Sequence, residues 1–145
     1  MEYLVGRLMT YDGLVLVTGA SGNLGRRVVQ RLQRSNIPVR GLVRTPVKGE
    51  ALEATGATMC VGNMTVPADM RRAVNGVRAI ISTAGIGLAR GSDSPMRVDY
   101  EGNLNLINAA VAAGVEHFVL ISAIGANWIH SSDIFVAKNK AEQEL

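Results

Sequence analysis

The sequence predicts an α/β domain whose parallel β-sheet carries helices on both faces. Three observations predict it. Short apolar runs alternate with helical stretches along the chain. The runs are apolar at nearly every position, as strands are when both faces are covered. A glycine turn, Gly19, Gly22 and Gly25, joins the first apolar run to the first helical stretch. Parallel strands need crossovers, and a helix after each strand supplies them with right-handed geometry.

Each element follows from its residues. Residues 14–17 form strand one. Residues 25–34 form helix one, with Val28, Val29 and Leu32 as its apolar stripe and Arg27, Arg31 and Arg34 as its polar face. Strand two spans 39–43, and a short helix over 48–54 stops at Gly56. Strand three spans 58–61. A helix over 67–74 starts with Pro67 in its first turn and stops at Gly76. Strand four spans 79–82, and a glycine-rich loop (Gly85, Gly87, Gly91) follows. A long helix over 96–113 has Asp93 or Ser94 as its cap, Pro95 in its first turn and Gly114 at its end. Strand five spans 117–121, and a last helix runs from near Asp133 to the chain end. Five strands so connected give a three-layer, doubly wound Rossmann-type sheet of order 3-2-1-4-5, with its switch point between strands one and four, beside the glycine turn. Residues 1–12 read as a leader, and 13–145 as the domain.

Bulk properties narrow the function. A chain of 145 residues suits one domain. At that size a chain buries roughly 68–70% of its unfolded surface, so a full core is possible. With 48% hydrophobic and 19% charged residues it reads as globular. The net charge of +3 comes without any basic cluster interleaved with aromatics, so no nucleic-acid role is expected. No run reaches 18 apolar residues, so no membrane helix is expected. The single cysteine, Cys60, lies in an apolar run and reads as a small core residue. One cysteine allows no intrachain disulfide, which makes a reducing, cytoplasmic setting the expectation. His117 and His130 have no metal-ligand spacing, and no metal is expected.

The glycine turn proposes a ligand class. A helix N-terminus presents unpaired N–H groups and about half a positive charge, so it attracts anions. Glycines there permit positive φ and let a pyrophosphate approach the backbone. An absence then narrows the ligand. NAD binders place an acid about 20 residues on, against the ribose 2′-hydroxyl. Here no Asp or Glu occurs between Gly25 and Glu50. The end of strand two offers Arg44 instead, with Arg40 and Lys48 near it. An arginine fork suits a 2′-phosphate. NADP(H) is therefore expected, with NAD(H) second. Arg40 and Arg44 share a side of the strand, and one of them is expected to reach the phosphate.

The loop Thr18-Gly-Ala-Ser-Gly-Asn-Leu-Gly25 resembles the cofactor loop of the short-chain dehydrogenase/reductase superfamily, in its extended and atypical branches. The resemblance implies that Gly19, Ser21, Gly22, Asn23, Leu24 and Gly25 hold the cofactor. Gly62-Asn63-Met64 falls where that superfamily usually reads Gly-Asp-Leu and touches adenine, so Asn63 and Met64 join the set. Thr83-Ala84-Gly85 follows strand four, where small residues let the cofactor come close. The segments 98–110, 114–122 and 137–145 resemble, in turn, the long helix, the fifth strand and the next helix of the atypical branch. Together they resemble an NmrA-like NAD(P)H-binding protein.

For chemistry, the resemblance implies a serine that orients the substrate carbonyl and a Tyr-x-x-x-Lys pair. Ser122 matches the serine and Lys138 the lysine, which also binds the nicotinamide ribose. The tyrosine position is Ile134, and no tyrosine follows Tyr100. A hydride transfer to a carbonyl needs an acid for the developing alkoxide. Some members of the branch use the lysine itself. Two readings stay open: an NADP(H)-dependent oxidoreductase, or its cofactor half, acting on a small organic substrate; and a non-catalytic NADP(H)-sensing regulatory module. The resemblance stops in the helix that contains Lys138, where family members continue. A truncated domain is therefore expected, with strand five as an open edge that invites self-association. Trp128 and Ile129 are candidates for the nicotinamide side of a pocket, or for packing.

Overall fold

The computed structural model describes residues 11–86, 91–128 and 132–145. The elements are β1 (Val15–Thr18), α1 (Asn23–Arg34), β2 (Val39–Val43), α2 (Pro46–Glu53), β3 (Thr58–Val61), α3 (Pro67–Ala73), β4 (Ala79–Ser82), a π-helical segment (Met96–Glu101), α4 (Gly102–Ala113), β5 (His117–Leu120) and α5 (Asp133–Gln143). All strand pairs are parallel and the order is β3-β2-β1-β4-β5, as expected. Ten residues of the expected leader lie outside the described residues. Its last two join the fold: Tyr11 packs on the core, and Asp12 pairs with Arg78 at 3.2 Å.

Alternation along β1 builds two cores. Successive strand side chains point to opposite faces. Leu16 enters a cluster with Leu42, Met70, Ile80 and Leu106, under α3 and α4. Val15 and Val17 enter another with Val29, Val39, Val43 and Leu52, under α1 and α2. Every β1 residue is buried, which is why the run carries no polar face. Full burial of a side chain such as Leu16 contributes about 1.5–3 kcal/mol. Cys60 is half-buried against the first cluster, as a small apolar residue would be.

The long helix differs from expectation. It begins as six π-helical residues and becomes regular only at Gly102. Gly114 closes it in the left-handed conformation. The wider turn admits an extra residue, and Asp99 and Asn103 both point inward and are about 1% exposed. The cap question resolves to Ser94, whose Oγ accepts from the Arg97 N–H at 3.2 Å.

Arg40 is also placed differently. Its guanidinium donates to the carbonyls of Ala73 at 2.8 Å and Asn75 at 2.7 Å. These carbonyls lie at the C-terminal end of α3, where a cation is favoured. Arg40 therefore serves the fold, and Arg44 alone of the two reaches the cleft.

Strand β5 is bordered by β4 on one side, and Val119 on it is 48% exposed. No helix among the described residues is long and apolar enough to cross a membrane. The described residues hold no group of three metal-ligating side chains.

Candidate functional site

The sheet order reverses between β1 and β4, and a cleft lies at their C-terminal ends. Gly19 leaves β1 with φ of +66°, and a Cβ there would sit 2.9 Å from the backbone of Ala84. The loops after β1 and β4 therefore touch, and only glycine fits. Three residues into α1, a Cβ on Gly25 would lie 2.1 Å from the Gly19 carbonyl oxygen. The turn is closed by its own backbone: the Gly22 N–H donates to the Gly19 carbonyl at 2.9 Å. Helix α1 starts after Gly22 with no side-chain cap and no acid in its first turn. Its first N–H groups and positive dipole end are thus left for an external anion.

A cavity of about 510 Å³ lies against this turn. Gly19, Ser21, Gly22, Arg44, Asn63, Met64, Thr83, Ala84 and Gly85 line it, nine of the residues expected to hold a cofactor. Gly25 is buried under the turn, while Asn23 and Leu24 are exposed in the first turn of α1 and outside the lining. Lys48 also lines the cavity. So does Arg26, which the sequence reading did not single out. Its position one residue after the glycine turn was the available signal. No carboxylate appears among the lining residues described.

Several of these groups have fixed partners. Asn63 Oδ1 accepts from the N–H and Oγ1 of Thr65 at 3.0 and 3.1 Å. Its amide NH₂ is the end left to donate to a ligand. The Met64 carbonyl accepts from Asn105 Nδ2 at 3.0 Å, which ties this turn to α4. Thr83 Oγ1 donates to the Thr18 carbonyl at 2.8 Å, which binds the β4 loop to β1.

Beyond the cavity lies a second group of polar residues. Lys138 Nζ is 2.9 Å from Asp99 Oδ1, and their side chains are 18% and 0% exposed. The Ile86 N–H donates to Asp99 Oδ2 at 3.0 Å. A Cβ on Gly85 would meet Asp99 Oδ1 at 2.7 Å and Lys138 Nζ at 3.3 Å, so the cavity wall at Gly85 is only a backbone thick before this pair. Lys138 Nζ also donates to the Ile121 carbonyl at 3.5 Å, next to Ser122. Ser122 Oγ is buried and has no hydrogen-bond partner among the described residues. Lys138 and Ser122 are thus brought to one end of the sheet, outside the cavity lining.

Asp99 anchors a buried chain of hydrogen bonds. Its carbonyl accepts from Asn103 Nδ2 at 2.7 Å. Ser82 Oγ donates to Asn103 Oδ1 at 2.6 Å. Thr18 and Ser82 hydroxyls lie 3.0 Å apart; with the Ser82 proton on Asn103, Thr18 is the donor. The chain runs from β1 through β4 to the π-helical segment. Sequence reasoning missed Asp99 and Asn103. The signal was present: the buried stripe of Leu106 and Ala110, continued backwards, lands on Asn103 and Asp99.

Ile134 occupies the tyrosine position, one helical turn before Lys138. Tyr100 does not replace it. Its hydroxyl donates to Glu144 at 3.2 Å near the end of α5, which holds the phenol above its ordinary value of 10.0. Trp128 is 68% exposed, and Ile129 and His130 lie outside the described residues.

These observations fit a dinucleotide: a backbone cradle that a Cβ would fill, an open helix end and a cation-lined cleft. A protein family described as NAD(P)H-binding matches residues 19–145. The chain belongs to that family. It stands among the atypical short-chain dehydrogenases/reductases and is related to their oxidoreductases. It is 35% identical over 138 residues to the uncharacterized sugar epimerase YhfK of Bacillus subtilis, covering 90% of this chain and 64% of that protein. It is 35% identical over 133 residues to the photosystem II assembly factor Ycf39 of Synechocystis sp., covering 90% of this chain and 40% of that one. Among solved structures it is similar to the NADPH-dependent quinone oxidoreductase QOR2 of Escherichia coli, complexed with NADPH. The TM-score is 0.72 at 27% identity, over 89% of this chain and 43% of that one. The chain thus spans less than two thirds of the length of each.

Proposed function

We propose that this domain binds NADP(H) in preference to NAD(H) and serves an oxidoreductase that reduces a small quinone or carbonyl compound. The observation that carries the cofactor preference is Arg44 on the cavity wall at the end of β2, with Lys48 beside it and no carboxylate in the lining described. A 2′-phosphate there meets a guanidinium fork, whereas a 2′-hydroxyl meets no acceptor in the lining that resembles an NAD site's acid. The glycine turn and the first N–H groups of α1 hold the pyrophosphate, and Arg26 adds a charge at that end. Gly85 and Ala84 let the cofactor lie close to the sheet.

When bound, NADPH supplies a hydride to the substrate carbon. The chain's part is to deliver a proton to the oxygen that becomes an alkoxide. With Ile134 in the tyrosine position, the Lys138 ammonium takes that role, and its lost proton is replaced from solvent. Asp99 keeps Lys138 in place, and the Ser122 hydroxyl, without a partner among the described residues, holds the substrate oxygen. The relationship to an NADPH-dependent quinone oxidoreductase supports this reading.

The second reading is a non-catalytic NADP(H)-binding module. Ile134 favours it, and so does the relationship to an assembly factor. Consumption of NADPH with a panel of quinones and aldehydes separates the two. Turnover that falls at least tenfold in Lys138→Met supports the enzyme. Tight NADPH binding with no turnover across the panel supports the module. The edge of β5, which pairs with no further strand among the described residues, is proposed as a self-association surface, which concentration-dependent sedimentation tests. The unpaired Cys60 is compatible with a reducing, cytoplasmic setting.

A further inference from the structure

We propose that Asp93 sets how strongly the cleft discriminates between cofactors with and without a 2′-phosphate, by competing for Arg44. The inference rests on the role of Arg44 proposed above and adds a residue to it. Arg44 Nη1 donates to Asp93 Oδ2, joining the end of β2 to the turn that precedes the π-helical segment. The two partners are unequally held. The Asp93 side chain is 22% exposed and that of Arg44 is 55% exposed. The turn around Asp93 is braced on both sides: Ser94 Oγ accepts from the Arg97 N–H at 3.2 Å, and Arg97 Nη1 donates to the Ser92 carbonyl at 3.1 Å. The carboxylate is therefore the fixed end and the guanidinium the mobile one.

A carboxylate and a phosphate ask for the same N–H donors of a guanidinium fork. A 2′-phosphate on Arg44 must either displace Asp93 or sit beside it against like-charge repulsion. A cofactor with a plain 2′-hydroxyl meets neither cost. Asp93 thus narrows the preference that Arg44 creates. Half-exposed ion pairs are weak, so the competition is expected to be worth about a threefold change in affinity.

The test is calorimetric titration of NADPH and NADH into the 145-residue chain, its Asp93→Asn and Arg44→Ala variants, and the double variant. Asp93→Asn is expected to raise the NADPH-to-NADH affinity ratio about threefold, and Arg44→Ala to cut that gain at least by half. A ratio that stays constant or falls in Asp93→Asn overturns the proposal, as does a gain that survives undiminished in the double variant. If Arg44→Ala collapses the ratio but Asp93→Asn does not raise it, the Asp93 proposal fails alone. If Arg44→Ala leaves the ratio unchanged, the role of Arg44 fails and the Asp93 proposal with it. Asp93→Ser repeats the measurement should the asparagine variant melt early.

Discussion

Lys138 Nζ and Asp99 Oδ1 lie 2.9 Å apart, and the carboxylate is the more deeply buried partner. The asymmetry has an energetic consequence. Removing the lysine leaves a carboxylate at 0% exposure with the Ile86 N–H as its remaining partner among the described residues. Removing the acid leaves an ammonium at 18% exposure, on a long stem that can turn towards water. Lys138→Met is therefore expected to destabilise by about 3 kcal/mol and Asp99→Asn by about 1–2 kcal/mol, at and below the usual range for breaking a buried pair. Urea melts of both variants check the order; a larger loss in Asp99→Asn contradicts the account.

Gly25→Ala tests the cradle. Its Cβ would fall 2.1 Å from the Gly19 carbonyl, so the turn must open. NADPH affinity is expected to drop at least about tenfold, roughly 1.4 kcal/mol. Fluorescence titration reads it, and an unchanged affinity would show that the turn does not hold the cofactor.

Ser122→Ala separates stability from function. The Ser122 hydroxyl is buried and unpartnered among the described residues, and such a group costs about 1–3 kcal/mol. Its removal is expected to leave the melting temperature unchanged or higher, while turnover with an accepted quinone falls. A lower melting temperature would mean that the hydroxyl has a structural partner.

The pH dependence of stability has one traceable source at the base of the sheet. Hydrogen bonds from Arg78, at 3.0 and 2.9 Å, hold the Glu116 carboxyl below its ordinary value of 4.5. As pH falls below 4.5 the unfolded chain takes up this proton first. The stabilisation is therefore present above that value and lost on acidification through the lower folded value. Glu116→Gln is expected to lower stability at neutral pH and to flatten the acid limb of a stability-against-pH curve. A limb as steep as that of the unsubstituted chain would rule Glu116 out as a contributor.

How much of this was legible in the sequence depends on the range of the interaction. The element order and the glycine turn were legible because each rests on local pattern: apolar runs, helix stops and the spacing of Gly19, Gly22 and Gly25. The strand order then followed from the doubly wound topology that such an alternation adopts. Arg44 was legible as a strand-end cation. What Arg44 and Arg40 touch was not, because Asp93 and the carbonyls of Ala73 and Asn75 are brought to them by the fold. The burial of Asp99 was hidden for a similar reason: its contacts, Lys138 and the Ile86 N–H, come from other elements, so it reads locally as one more polar helix residue.

The central claim is that Arg44 selects a 2′-phosphate in the cleft beside the glycine turn. Titration of NADPH and NADH into the unsubstituted chain and Arg44→Ala tests it most directly. The unsubstituted chain is expected to bind NADPH more tightly than NADH, and in Arg44→Ala NADPH affinity is expected to fall to the NADH level while NADH affinity is unchanged. Equal affinities at the start, or an equal loss for both cofactors, would contradict it.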